Sequence, residues 1–140
     1  MAGAESAYRQ ALLRGDATYS ANAMAFLLLT QDKSLDEALG LASKAISTAP
    51  RTAAYYDTRG QIYLRLKRFD EAVKDFDQAL ILQPDMVDSM VGKAEALTQA
   101  GKKDKAAELL RYIDSVMARQ VELSPFAKKQ LAGLKAASVQ

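Results

Sequence analysis

Acidic residues come in pairs along this chain, at Asp36-Glu37 and Asp70-Glu71, with a further close couple at Asp75 and Asp77. Neighbouring carboxylates could work as a general acid and base, or hold a divalent cation. The companions such chemistry needs are missing. The 140 residues include no histidine and no cysteine, which removes the commonest general base, the commonest metal ligand, thiol nucleophiles and disulfides. No glycine-rich phosphate loop and no nucleophile motif is present. Asp75 and Asp77, two apart on a helix, face different sides, so they cannot converge on one atom and read as a solvated face. Asp36-Glu37 and Asp70-Glu71 recur at a fixed interval and fall where helices start, which assigns them to the positive end of the helix dipole. The sequence therefore predicts no enzyme and no catalytic, cofactor-binding or metal-binding residue. The basic pairs Lys67-Arg68 and Lys102-Lys103 fall in turns. They could touch an acidic partner or a phosphate, or simply keep exposed turns soluble.

Bulk properties narrow the classes further. With 49% apolar and 26% charged residues, the chain has the balance of one globular domain rather than of a disordered segment. A formal charge of +2 is too small to argue for nucleic acid or an anionic membrane. The apolar stretch Met24 to Leu29 falls far short of the roughly 20 residues a spanning helix needs. The opening "MAGAESAYRQ" has neither the basic start nor the apolar stretch of a signal peptide. A soluble chain without membrane insertion is expected; the compartment stays open, with the cytoplasm slightly favoured.

The elements that position these residues repeat every 34 positions. Pro50 and Pro84, Ala45 and Ala79, Ala38 and Ala72, then Ala72 and Ala106, are each one period apart. "LDEALGLASKAISTAP" and "FDEAVKDFDQALILQP" are versions of one sixteen-residue pattern. Each unit carries two amphipathic helical patterns around a short break. The pattern predicts helices near 3–14, 19–31, 35–48, 53–66, 69–82, 86–100, 104–121 and 125–137, with no strand. Proline closes two second helices. The third unit has Ala118 at that place, which predicts a helix running on to Val121. Gly60 stands inside a helix, where glycine costs about 1 kcal/mol relative to alanine. The expected reason is a close crossing with Ala72, with Tyr63 and Phe76 filling the space beside it. Tyr56 takes a packing position and Tyr55 an inter-repeat contact.

Tyr56, Gly60, Tyr63, Ala72, Phe76, Ala79 and Pro84 make residues 53–86 resemble the tetratricopeptide repeat, a helix–turn–helix unit. The unit at 19–52 is weaker, with Asn22 at the first aromatic place and Phe26 at the small one; that at 87–120 keeps Ala94, Leu97, Gly101, Ala106 and Leu110. Ala4, Tyr8, Ala11 and Leu12 align with a second helix, so 3–18 reads as half of a preceding repeat, and the chain as a fragment of a longer, bacterial-type array. Residues 124–137, with Ser124 as N-cap, Pro125 first in the helix and an apolar seam of Phe126, Leu131 and Leu134, read as a C-terminal capping helix.

The resemblance implies an all-α, right-handed solenoid of antiparallel helix pairs in one domain, and a concave groove lined by the first helix of each pair. Carried over residue by residue, the groove candidates are Leu27, Asp57, Gln61, Leu64, Arg65, Asp88, Val91 and Glu95, with Ser20, Ala23, Thr30, Ala54 and Thr98 on the same faces. The positions where one subgroup grips a partner's terminal carboxylate hold Ala23, Leu27, Thr58, Asp88 and Gly92, so that clamp is absent. The implied function is a protein–protein interaction module for a partner peptide or helix, with apolar anchors and lysine or arginine between them to meet Asp57, Asp88 and Glu95. The second reading is a scaffold that self-associates by stacking repeat faces.

Overall fold

The computed structural model describes residues 2–13, 17–119 and 123–138, which form helices and turns with no strand among them. In chain order the helices are α1 (Ala2–Leu13), α2 (Ala17–Thr30), α3 (Leu35–Thr48), α4 (Ala53–Arg65), α5 (Phe69–Leu82), α6 (Val87–Gln99), α7 (Lys103–Met117) and α8 (Pro125–Ser138). α2 pairs with α3, α4 with α5 and α6 with α7, and each pair packs on the next through α3 on α4 and α5 on α6. The first helices also touch along the stack, α2 on α4 and α4 on α6. The result is an all-α solenoid.

None of the described N-caps of α3 to α7 forms a side-chain cap hydrogen bond. Charge compensates in part, since Asp36 and Glu37, Asp70 and Glu71, Asp88, and Asp104 lie in the first turns of α3, α5, α6 and α7. The first helices end alike. Asp32, Lys67 and Gly101 take positive φ of 51°, 61° and 82°. The next residue's N–H then reaches back to a carbonyl five positions earlier, Lys33 to Leu28 at 3.0 Å, Arg68 to Tyr63 and Lys102 to Leu97 at 2.9 Å. This left-handed closure satisfies carbonyls the helix end would leave bare and folds the second helix back onto the first. The basic turn pair owes part of its place to this geometry. Arg68 also pairs with Glu71 at 2.6 Å and lies 4.8 Å from the Tyr63 ring centroid.

The end of α7 and the place of Asp75 differ from the sequence expectation. α7 stops at Met117, where Ala118 and Arg119 donate to the carbonyls of Asp114 and Val116. It does not run on to Val121, which lies outside the described residues. The tightened turn releases the chain so that Leu123, only 5% exposed, joins the core of α6 and α8. Asp75, expected on a solvated face, is 4% exposed. Its two oxygens accept from Arg59 Nε and Nη2 at 2.7 and 2.8 Å, an ion pair joining α4 to α5. Asp77 does stay at the surface side, 2.7 Å from Lys93.

Gly60 needs its small size for a different neighbour than expected. A Cβ built on Gly60 would lie 2.8 Å from Phe76 Cε1, and one on Gly92 2.5 Å from Phe76 Cζ. The fully buried Phe76 ring is therefore wedged from α5 between the backbones of α4 and α6. Ala72 is buried in the same cluster, but the glycines make room for an aromatic ring and not for a helix crossing.

Candidate functional site

Three first helices, α2, α4 and α6, present one face of the stack, and α8 lies across it. A regular next step in the stack would set α8 beside α6 and α7 alone. Instead Phe126 at its start meets Phe26 of α2, ring centroids 5.7 Å apart and inclined at 62°, an edge-to-face contact. One turn on, Gln130 Nε2 donates to Gln61 Oε1 of α4 at 3.0 Å, and also to Glu95 Oε2 of α6. Gln61 Nε2 donates in return to Gln130 Oε1 at 3.3 Å. Asp88 at the start of α6 accepts from the Ser124 backbone N–H at 3.4 Å, and Ser124 Oγ accepts from the Ala127 N–H at 3.1 Å. Ser124 thus serves as the N-cap its type and place predict. Because Asp88 meets Ser124 and Glu95 meets Gln130, α8 runs in the same direction as α6.

The two faces of α8 differ in what they meet. Ala127, Leu131 and Leu134 are buried with Val87, Val91, Ala94 and Ile113 of α6 and α7. Phe126, Lys129, Gln130 and Gly133 look instead across the groove, where a cavity of about 580 Å³ remains between α8 and the first helices. Thr30, Leu64, Arg65, Thr98 and Gln99 form its other walls.

The eight groove candidates accordingly separate. Gln61, Leu64, Arg65 and Glu95 line the cavity. Asp88 and Val91 lie under α8, one holding its capping residue, the other fully buried beneath it. Leu27 is 7% exposed and belongs to the core between α2, α3 and α4. The α2 register explains it: Tyr19, Phe26 and Thr30, spaced seven and four residues apart on one face, are exposed, so Leu27 turns inward. Asp57 accepts from Ser89 Oγ at 2.7 Å. Burial, opposed by that hydrogen bond and aided by the nearby Asp88 charge, pushes its carboxyl up from 3.8 to about 6. Arg65 reaches across one repeat to Asp32 at 3.2 Å.

Phe26, Phe126 and Gln130 are not among the groove candidates of the sequence. A phenylalanine at a place where small residues pack, and a glutamine set beside an apolar seam, are the two anomalies that mark them there. Nothing in that pattern says they meet.

Residues 58–119 match the family model of the tetratricopeptide repeat. Hsc70-interacting proteins 1 and 2 of Drosophila melanogaster are each 36% identical to the chain over 76 residues, 54% of this chain and 20% of theirs. The chain thus spans about a fifth of the length of these curated relatives. Among solved structures, MamA (41-end) from Desulfovibrio magneticus RS-1 superposes with a TM-score of 0.76 at 17% identity, covering 84% of this chain and 67% of that one. The second such domain of human RPAP3, in complex with the HSP70 peptide SGPTIEEVD, gives 0.68 at 19% identity, covering 85% and 95%. The second such domain of Spaghetti, bound to the HSP90 peptide SRMEEVD, gives 0.67 at 20% identity, covering 76% and 98%. At these identities the likeness is one of fold.

Proposed function

We propose that this chain, a tetratricopeptide repeat protein, is a protein–protein interaction module whose first-helix groove holds a helical segment of a partner. One observation carries the reading: the groove already seats a helix, through an aromatic contact to α2, amide hydrogen bonds to α4 and α6, and apolar side chains over Val91. Helix-in-groove recognition rests on this combination of spaced anchors and a polar frame. The peptides bound by the fold relatives are acidic. Here no basic clamp replaces Ala23, Leu27, Thr58, Asp88 and Gly92, and Asp57, Asp88 and Glu95 set negative charge along α4 and α6. An acidic tail would meet like charge, so the preferred segment carries apolar anchors separated by lysine or arginine. The anchors supply affinity, and the charges orientation and on-rate. The reading involves no catalytic step.

Stacking of repeat faces is the weaker reading at the C-terminal end, because α8 covers Val87, Val91 and Ala94 there. Among the described residues no helix is long and apolar enough to cross a membrane.

Titrating the isotopically labelled chain with two peptides tests the proposal. A lysine-rich amphipathic helix should shift the amides of Leu64, Arg65, Thr98 and Gln99, whereas SRMEEVD should leave them in place. Shifts of those amides by SRMEEVD and not by the basic helix would reverse the assignment.

A further inference from the structure

α8 has the chemistry just assigned to the partner. Its sequence, PFAKKQLAGLKAAS, sets Phe126, Leu131 and Leu134 as anchors and carries three lysines with no acid. The helices beneath it carry Asp88 and Glu95, which accept hydrogen bonds from Ser124 and Gln130 of α8, so negative charge lies under a helix that has no acid of its own. Its hold on the groove is mixed. The bonds among Gln61, Glu95 and Gln130 exchange for water at small net gain, and one flank of α8 stands open on the cavity of about 580 Å³. The seam of Ala127, Leu131 and Leu134 is the part that keeps apolar surface from water.

Resting on the proposed groove function, we infer that α8 is a resident occupant of that groove, and that the partner is a basic, acid-free amphipathic helix which binds by taking α8's place. Displacement exposes Val87, Val91 and Ala94, so only a segment that covers them again with its own spaced anchors binds well. A polar or acidic segment leaves them bare. α8 therefore acts as a built-in specificity filter, and tethering gives it an effective concentration on the order of mM, which a partner in trans must overcome. A ligand that binds only the open form loses affinity in proportion to the open fraction.

The absence of native cysteine permits a clean test on the full chain. The probe is a fluorescent synthetic peptide with the sequence of residues 123–138. Phe126→Ala with Gln130→Ala removes the contacts to α2, α4 and Glu95, and should tighten probe binding by about tenfold or more over the unaltered chain. A second variant avoids dependence on that weakened fold. Asp114 and Lys135 meet at 2.8 Å on the exposed side of α7 and α8, away from the groove. Asp114→Cys with Lys135→Cys, bridged by a short bis-maleimide, holds α8 down. The bridge should lower probe affinity by about tenfold or more relative to the same protein unbridged. Equal affinity bridged and unbridged, or no probe binding to any form, overturns the inference. If a lysine-rich foreign helix still shifts the groove amides equally in the bridged and unbridged forms, the groove function stands and only the displacement of α8 falls. If neither peptide binds any form, both fall.

Discussion

At Asp57 the burial of a charge and the needs of the groove pull against each other. Its carboxyl titrates at about 6 against an ordinary 3.8, chiefly through burial, with Ser89 donating to it and Asp88 nearby. The folded chain thus binds the proton more tightly than the unfolded chain. The destabilisation is absent below about pH 4, grows as pH rises, and is complete above about 6. Asp57→Asn keeps an acceptor for Ser89 and removes the charge. Thermal unfolding at pH 7 should show a gain on the order of 1–3 kcal/mol that fades towards pH 4; an equal gain at both values would contradict the assignment. The glycines supply a second residue-scale contrast. Gly92→Ala should destabilise by about 1–3 kcal/mol, because the added carbon would sit 2.5 Å from Phe76 Cζ and 2.7 Å from Gln61 Nε2. Gly40→Ala on α3 meets nothing within 4 Å and should stabilise by about 0.5–1 kcal/mol through helix propensity. A denaturant midpoint that rises for Gly92→Ala as it does for Gly40→Ala would show that Phe76 has room. Phe76 itself is legible from the repeat pattern, but its two glycine seats are not. A small residue has no pattern of its own that says whether a backbone or a ring approaches it.

At the scale of elements, the helix pairs are readable because each signal repeats. Proline, alanine and the acidic first turn recur with the period, and the helices follow them to within a few residues. Where the repeat thins, the pattern misleads. α7 lacks the closing proline and its pattern suggests a longer helix, since its end is set by the return of Leu123 to the core, a tertiary contact. The turns closing α2, α4 and α6 share one geometry but not one residue: Gly101 adopts its φ of 82° freely, whereas Lys67 holds 61° at a steric cost. Lys67→Gly should therefore raise stability by roughly 0.5–1 kcal/mol. Urea unfolding checks this, and a loss would mean that the lysine stem contributes more to the turn than its strain costs.

For the whole molecule, the placement of α8 changes what the groove is. Its amphipathic pattern is plain in the sequence, yet the same seam of Phe126, Leu131 and Leu134 suits a helix capping the stack and one lying across it. Only the partners distinguish the two, and they are far away in the chain: Phe26 for Phe126, Gln61 and Glu95 for Gln130. The acids expected to wait for a partner are engaged within the chain, Asp88 and Glu95 by α8 and Asp57 by Ser89. On the proposed function, the groove is a surface contested between an internal helix and an external one.

Whether α8 crosses the first helices can be read from the nuclear Overhauser contact between two aromatic rings. The chain has four phenylalanines, so selective ring labelling resolves them individually. With the Phe26 and Phe126 centroids 5.7 Å apart, their ring protons should give a cross-peak in the free protein. A Phe126 ring in contact only with side chains of α6 and α7, and showing no cross-peak to Phe26, would make α8 an ordinary end cap and leave the groove open.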